Sequence, residues 1–537
     1  MRRSPPFPEL TIWHTLAALL ALSSAIPLLV VASSWLVTEQ AVWRHLSQTV
    51  LSTLLGNTLI LAGGVGLGVV LLGTALAGLT SLCQFPGRRF FDWALMLPLA
   101  IPTYVLAFTT LGFLDLGSPL QSWLRSHFGP KLPWFPNVRS AGMVVLVLVL
   151  VLYPYVYMLA RSAFRQQGQR LLEASRILGR GPWGAFFQAA LPMARPAIAV
   201  GAALAIMESL ADFGAVAVFG FDTFTTAIYK SWFGLFNLNA AAQLASLLLL
   251  FAALLLTLER RMRGKGRYHG PDQGGRTRPI RLQGTRAWAA SAFCGLVFLL
   301  AFLLPMGQLL LWAGRRLTLD LDLRYGQLLL HTLLLGGIAA LVTTAAALIL
   351  GFANRRPVPG GDAAVRLATL GYALPGSVLA VGVMLSFTWI DRQLSGWVPG
   401  LVLTGSVLGL LLAYGVRFLA VAHGPVESGL ARIRPSLEEA ARTLGARPNA
   451  LLKDLYLPML SPSLLTALPL VLVEVMKEMP ATLLLRPFGW DTLAVRIFEM
   501  TSEGEWERAA LPAVTLVLAG LGPVILLVRR PDSAKVC

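Results

Sequence analysis

Long apolar runs, separated by short polar and basic stretches, set the pattern of this chain. Runs near 11–37, 57–82, 93–114, 141–160, 196–218 and 239–258 are followed by a second set. That set lies near 287–313, 331–353, 366–389, 399–421, 463–485 and 509–528. About 20 apolar residues in a helix cross about 30 Å of hydrocarbon, so each run predicts a membrane span. The expected fold is an all-α polytopic membrane protein of about 12 transmembrane helices in two tandem six-span repeats. The repeats are 1–258 and 287–537, joined by a basic linker at 259–286. The first run, preceded by Arg2 and Arg3, is longer than the core of a cleaved signal peptide and predicts a retained span.

One polar stretch occurs twice. EASRILGRGPWGAFFQAALPMARP from Glu173 and EAARTLGARPNALLKDLYLPMLSP from Glu439 superimpose without a gap at an offset of 266, with ten identities in 24 positions. Such self-similarity marks internal duplication. Helix formers run from Glu173 to Leu178 and from Glu439 to Leu444, and Gly179 or Gly445 follows. Glycine past a helix end takes positive φ without steric cost. Pro182 and Pro448 suit the first turn of a second short helix. Leu191-Pro192 and Leu457-Pro458 are expected to end that helix and lead into the fifth span of each repeat. Weaker matches extend the duplication: Asn57-Thr58-Leu59 with His331-Thr332-Leu333, Ile101-Pro102 with Leu374-Pro375, and FGFDT from Phe219 with FGWDT from Phe488. Two parallel repeats predict a pseudo-two-fold axis along the membrane normal, with a pathway between the halves.

Glu-Ala-Ala, three residues, Gly, about eleven more, then Leu-Pro resembles the EAA loop of bacterial ABC importer permeases. The resemblance implies coupling loops at about 168–195 and 434–461 that dock on a separate ATP-binding subunit, a homodimer. It assigns the contact and turn positions to Glu173, Ala174, Gly179, Leu191 and Pro192, and to Glu439, Ala440, Gly445, Leu457 and Pro458. It further implies an inner-membrane permease and a periplasmic or extracellular substrate-binding protein. Closer likeness is to the ferric-iron permeases, in LPLAIPTYVLAF from Leu97, ADFGAVAVFGFDTFTTAIYKSWF from Ala211, KEMPATLLLRPFGWDTLAVRIFE from Lys477 and AALPAVTLVLAGLGPV from Ala509. Thiamine importers have a similarly fused permease and are the nearest rival; polyamine, sulfate and phosphonate permeases share the loop. An ion-gradient-driven secondary transporter is the alternative of a different class; such carriers often have a basic, glycine-containing loop between spans two and three, of which CQFPGRRFFDW from Cys83 is at best a fragment, and they would not need two EAA-like loops.

Composition agrees with a membrane protein: 56% hydrophobic, 13% charged, mean hydropathy +0.69. The net charge of +18 does not indicate nucleic acid, because the basic residues sit in short loops. With both termini cytoplasmic, the inside segments hold 31 of the 44 Lys and Arg residues, as the positive-inside rule requires. Both repeated loops then face the ATP-containing side. The linker carries nine Lys/Arg against two acids and reads as a flexible tether, either solvated or in contact with anionic membrane lipid.

Four acids fall inside apolar runs. Glu208 and Glu474 each lie 12 residues after a matching proline, Pro196 or Pro462, about 18 Å along a helix. Asp212 and Glu478 follow by four, on the same expected helical face. Intramembrane carboxylates usually face a cavity, so these four either line a cation path or serve structure, with Glu474 or Glu478 pairing with Lys477 or the pairs sealing the interface between the halves. Prolines at Ile101-Pro102 and Leu374-Pro375 predict kinks, as gate hinges or as packing accommodation. Trp134, Trp232, Trp288 and Trp389 read as interfacial anchors. Cys83 and Cys294 read as small core residues. No G-x-x-x-x-G-K-[ST] occurs, so no ATP hydrolysis is expected here; ATP and Mg belong to the partner, with no cofactor, metal or nucleic acid in this chain.

Overall fold

The computed structural model describes residues 8–36, 40–130, 132–165, 175, 179, 181–263, 280–355, 358, 360–395, 397 and 402–529. They are helical almost throughout. Nine of their helices are long and apolar enough to cross a membrane, eleven if two bent pairs each count as one span. The apolar helix from Ala510 is a shorter candidate.

The two bent pairs are Arg88–Ala100 with Thr103–Phe128, at 93°, and Gly361–Ala373 with Gly376–Leu394, at 116°. Kinks were expected here; the chain instead leaves the helix altogether. Ile101 and Leu374 are extended, with ψ of 120° and 132°, because a following proline ring disfavours helical geometry. Pro102 and Pro375 then start the next helix. The fifth span of each repeat is also interrupted. Leu191–Ala211 stops at Asp212 and resumes as Gly214–Phe219; Leu457–Lys477 stops at Glu478 and resumes as Pro480–Leu485. Asp212 and Glu478 therefore do not share a helical face with Glu208 and Glu474.

In the other direction the fifth span is longer than expected. Leu-Pro does not end the short helix before it. Pro182–Ala185 and Pro448–Ala450 each run through one widened turn directly into the span. Leu191 N–H bonds the carbonyl of Phe186, and Leu457 N–H that of Leu452, both five residues back. A π-type turn of this kind makes room where a proline ring crowds the carbonyl four residues earlier.

Packing divides the chain into two units that cut across the sequence repeats. The first comprises 1–40, 228–246 and 321–496; the second comprises 41–227, 247–320 and 497–537. The first unit thus joins the opening helix Pro8–Ser33 to the second repeat. That helix packs on Gly361–Thr369, Gly376–Leu394 and Leu323–Asn354, and the Ser24 hydroxyl donates to the Ala368 carbonyl at 3.3 Å. A Cβ on Gly382 would lie 2.6 Å from the carbonyl oxygen of Pro27, so glycine permits this approach. The second unit packs Leu51–Leu82 against Ala141–Ala163 and Leu191–Ala211, and adds Leu304–Asp320 and Ala510–Arg529 from the second repeat. The end of the expected linker is ordered: Ile280–Arg281 pairs in parallel with Cys83–Gln84. Residues 264–279 lie outside the described residues. Trp134, Trp288 and Trp389 are exposed, but Trp232 packs on the core of its unit and is no surface anchor. Cys294 is buried and Cys83 half-buried.

Gly382→Val should push the opening helix away from its partners. The expected cost is about 1–3 kcal/mol, as for other overpacked sites, read as a lower midpoint of thermal unfolding in detergent.

Candidate functional site: the repeated loops and the helix breaks

The second copy of the repeated loop is described throughout. Pro435–Thr443 is a helix opened by proline. It closes on Gly445, with φ of 83°. Gly445 N–H bonds the Arg442 carbonyl and Ala446 N–H that of Ala441, both at 3.0 Å. This paired closure satisfies the last carbonyls of the helix and needs a left-handed residue at the turn. Its orientation comes from a residue that the repeat comparison did not single out. Glu438, beside the motif acid, accepts from Arg442 at 2.8 Å and from the Tyr456 hydroxyl at 2.7 Å, and lies 3.8 Å from Arg355. Arg355, just past Leu323–Asn354, also donates to the carbonyls of Leu430 and Ile433 and sits over the Tyr456 ring. The Glu438 clamp thus ties three elements together. The only signal for it in the sequence was the Glu438-Glu439 doublet. With Glu438 held inward, Glu439, Ala440, Gly445, Leu457 and Pro458 are exposed, and Leu444 is 88% exposed.

In the first copy, Glu173 and Ala174 lie outside the described residues. Gly179 has the matching left-handed geometry, φ of 79°. Leu191 and Pro192 are half-buried in the continuous helix. Its exposed face carries Trp183 and Phe187, stacked at 6.1 Å, where the second copy has Asn449 and Lys453. Gly179 and Gly445 share left-handed geometry, and the exposed faces that follow them present different chemistry.

The helix breaks hold the buried acids. A break frees N–H groups that apolar surroundings cannot satisfy. Asp212 accepts from the N–H groups of Ala215 and Val216, at 2.9 and 3.3 Å, and from the Thr103 hydroxyl. Glu478 accepts from Ala481 N–H at 3.0 Å and pairs with Arg417 at 3.0 Å. Its partner is therefore Arg417, not Lys477. Arg417 also donates to the Leu374 carbonyl at 3.2 Å, at the Leu-Pro break. So in each unit side chains link the two breaks: the Thr103 hydroxyl with Asp212 in one, and Arg417 between the Leu374 carbonyl and Glu478 in the other. Thr103 corresponds to Gly376, where a Cβ would collide with Glu478 and Arg417. Val151 corresponds to Arg417 at the 266 offset. Thr with Asp in one unit is exchanged for Gly, Arg and Glu in the other. Glu208 and Glu474 are half-buried on their helices, and Glu474 is 3.9 Å from Lys477. Among the described residues, no three His, Cys, Asp or Glu side chains stand together as a metal site.

A polytopic helical protein whose repeated loops lead into broken spans fits the class of transport permeases. The chain belongs to the family described as binding-protein-dependent transport system inner membrane components, whose model matches residues 69–263 and again 343–530. A relative named Fe(3+)-transport system permease protein FbpB 2, from Haemophilus influenzae, is 29% identical over 98% of this chain and 99% of its own length. A ferric transport system permease protein FbpB from Actinobacillus pleuropneumoniae is 25% identical, over 91% of this chain and 72% of that protein. A putative 2-aminoethylphosphonate transport permease of Salmonella typhimurium is 33% identical, but over 30% of the chain and 57% of its own length. This protein is accordingly a permease component of an ABC importer in the inner membrane. It works with an ATP-binding subunit and a substrate-binding protein, and hydrolysis occurs on the separate subunit.

Arg417→Met should leave the buried Glu478 carboxyl without its cationic partner, at a cost of about 3–5 kcal/mol. The double variant Arg417→Met with Glu478→Gln should recover much of that loss, as read by thermal unfolding. Tyr456→Phe should lower transport while leaving membrane insertion normal, because it loosens the Glu438 clamp; uptake alongside a membrane-fraction blot checks this.

Proposed function

We propose that the chain carries ferric iron from a substrate-binding protein outside to the cytoplasm by alternating access. The observation that carries this reading is the match, 29% identical over 98% of this chain and 99% of the relative, to a permease named for Fe(3+) transport. The phosphonate relative matches a single stretch. The positive-inside distribution of Lys and Arg supports an orientation with both termini and both repeated loops in the cytoplasm. The loops around Glu173, Ala174 and Gly179, and around Glu439, Ala440 and Gly445, then meet the two subunits of an ATPase homodimer. ATP and Mg are bound there and no cofactor is held here. Anionic lipid meets the basic linker.

The mechanism follows from mechanical continuity. Closure of the ATPase dimer on ATP displaces the two loops. The part of each loop after its glycine turn, from Pro182 or Pro448, is one helix with the fifth span through Leu191-Pro192 or Leu457-Pro458, so motion of that part reaches the break at Asp212 or Glu478 without an intervening turn. The breaks are where the path changes shape. Glu208 and Glu474, one turn before them, are the carboxylates we assign to the passing cation; Asp212 and Glu478 hold the breaks in form.

Gly445→Asp tests the coupling: a β-carbon at φ of 83° strains the turn, and uptake should fall at least tenfold with insertion unchanged. Cargo is tested by uptake of labelled ferric iron and labelled thiamine in cells with and without the chain, the ATPase being present in both. Iron uptake that requires the chain is the expected result. Chain-dependent uptake of thiamine alone would overturn the iron assignment.

A further inference from the structure

Among the described residues, one residue other than glycine has a positive φ: Phe236, at 52°. An L-residue there sets its Cβ against the next carbonyl, and phenylalanine has no polar group to recover a local hydrogen bond as Asn or Asp would. Packing does not compensate either, because the ring is 89% exposed. Its neighbours fix the strained geometry. Leu235 N–H bonds the Lys230 carbonyl and Asn237 N–H the Ser231 carbonyl, both at 3.0 Å. The Asn237 side chain accepts from Ala240 N–H at 2.8 Å, which starts the helix Leu238–Arg263. Beneath the loop Trp232 packs on the core of its unit, and Phe233 stacks on Trp232 at 5.5 Å and lies tilted against Tyr229 at 5.1 Å. The result is a rigid aromatic base with Phe233, Leu235 and Phe236 exposed at its tip.

Strain that persists in a fully exposed ring points to use of that ring. Lipid gives no reason for it, since a relaxed apolar residue enters a bilayer equally well. A protein surface that must meet the ring at one place does. We propose that the loop Lys230–Asn237 is a docking site for the substrate-binding protein, with Phe236 as the anchor that enters an apolar pocket on it. This rests on the import reading: the family depends on a binding protein, and the orientation proposed above puts this loop outside. A ring held in place before contact loses little freedom on binding, and an aromatic anchor within a polar rim is what dominates protein interfaces. Lys230 and Asn237 supply that rim. The second repeat has Glu505 where the first has Phe236, in a stretch that also holds Glu499, Glu503 and Glu507. The anchor therefore belongs to one repeat and fixes which way round the partner sits.

The test uses the full-length chain in nanodiscs of phosphatidylcholine and the substrate-binding protein of the same transport system. Phe236→Gly removes the ring and the strain together. Binding should weaken about tenfold or more and uptake should fall, while the midpoint of thermal unfolding stays level or rises. Phe236→Trp should bind within about threefold of the unaltered chain. Unchanged binding by Phe236→Gly overturns this proposal alone. So does a lowered unfolding midpoint, which would make the ring a packing element. Extra fluorescence in Phe236→Trp that brominated acyl chains quench would assign the ring to the bilayer and overturn it as well. Failure of the unaltered chain to bind that protein at all would bring down the import reading and this proposal with it.

Discussion

Hydrocarbon tolerates no unsatisfied backbone group, and this protein breaks four of its apolar helices where that rule is hardest to meet. Each break exposes N–H and carbonyl groups that water would satisfy in a soluble protein. Here polar side chains cap the resumed helices and link each pair of breaks. In one unit the Thr103 hydroxyl, one residue past Pro102, reaches Asp212, which caps the resumed helix. In the other, Arg417 bonds the carbonyl of Leu374 and neutralises Glu478, which caps its own resumed helix. The buried charge is there because the breaks are there. Replacing either set by apolar side chains would leave backbone groups stranded, so these polar residues are a condition of the fold.

The two repeats show that the condition has more than one solution. A glycine at 376 leaves the volume that the Arg417 guanidinium needs, and threonine at the corresponding position of the first repeat fills it. Exchange of one member alone leaves either a collision or an unpaired charge; the members are coupled through shared space. The loops diverge likewise: a clamp of Glu438, Arg355 and Tyr456 secures the second, and a stacked Trp183 and Phe187 marks the first. Duplication supplied one backbone plan, and each copy then settled its local polar accounts differently.

Much of this was legible in the chain. Apolar run lengths give the number and place of most helices, and the positive φ at Gly179 and Gly445 is what two glycines at helix ends require. The run pattern does not register the interruptions at Asp212 and Glu478. Hydropathy is blind to whether an apolar run is one helix or two, and a carboxylate inside it looks the same whether it lines a path or caps a break. Met479 and Pro480 were the available hint in one repeat; Phe213-Gly214 is a weaker one in the other. The continuity through Leu457-Pro458 was hidden for the opposite reason, since proline suggests an ending and the widened turn before it is not encoded in any simple pattern. Glu438 was overlooked because its partners lie 18 residues downstream and on the far end of another span, a proximity that only the packing creates.

The interleaved packing bears on how the protein is made. Ser24 and its partner Ala368 are 344 residues apart in sequence. At about 5–20 residues per second of synthesis, the opening helix waits on the order of 20–70 s for the helices it will rest against. Until then its seat is lipid or whatever attends insertion, and the glycine at 382 that will receive Pro27 does not yet exist. Neither unit can close as the ribosome delivers the chain in order. Assembly in the bilayer is therefore a late, collective event, and damage near the end of translation strands helices inserted at its beginning.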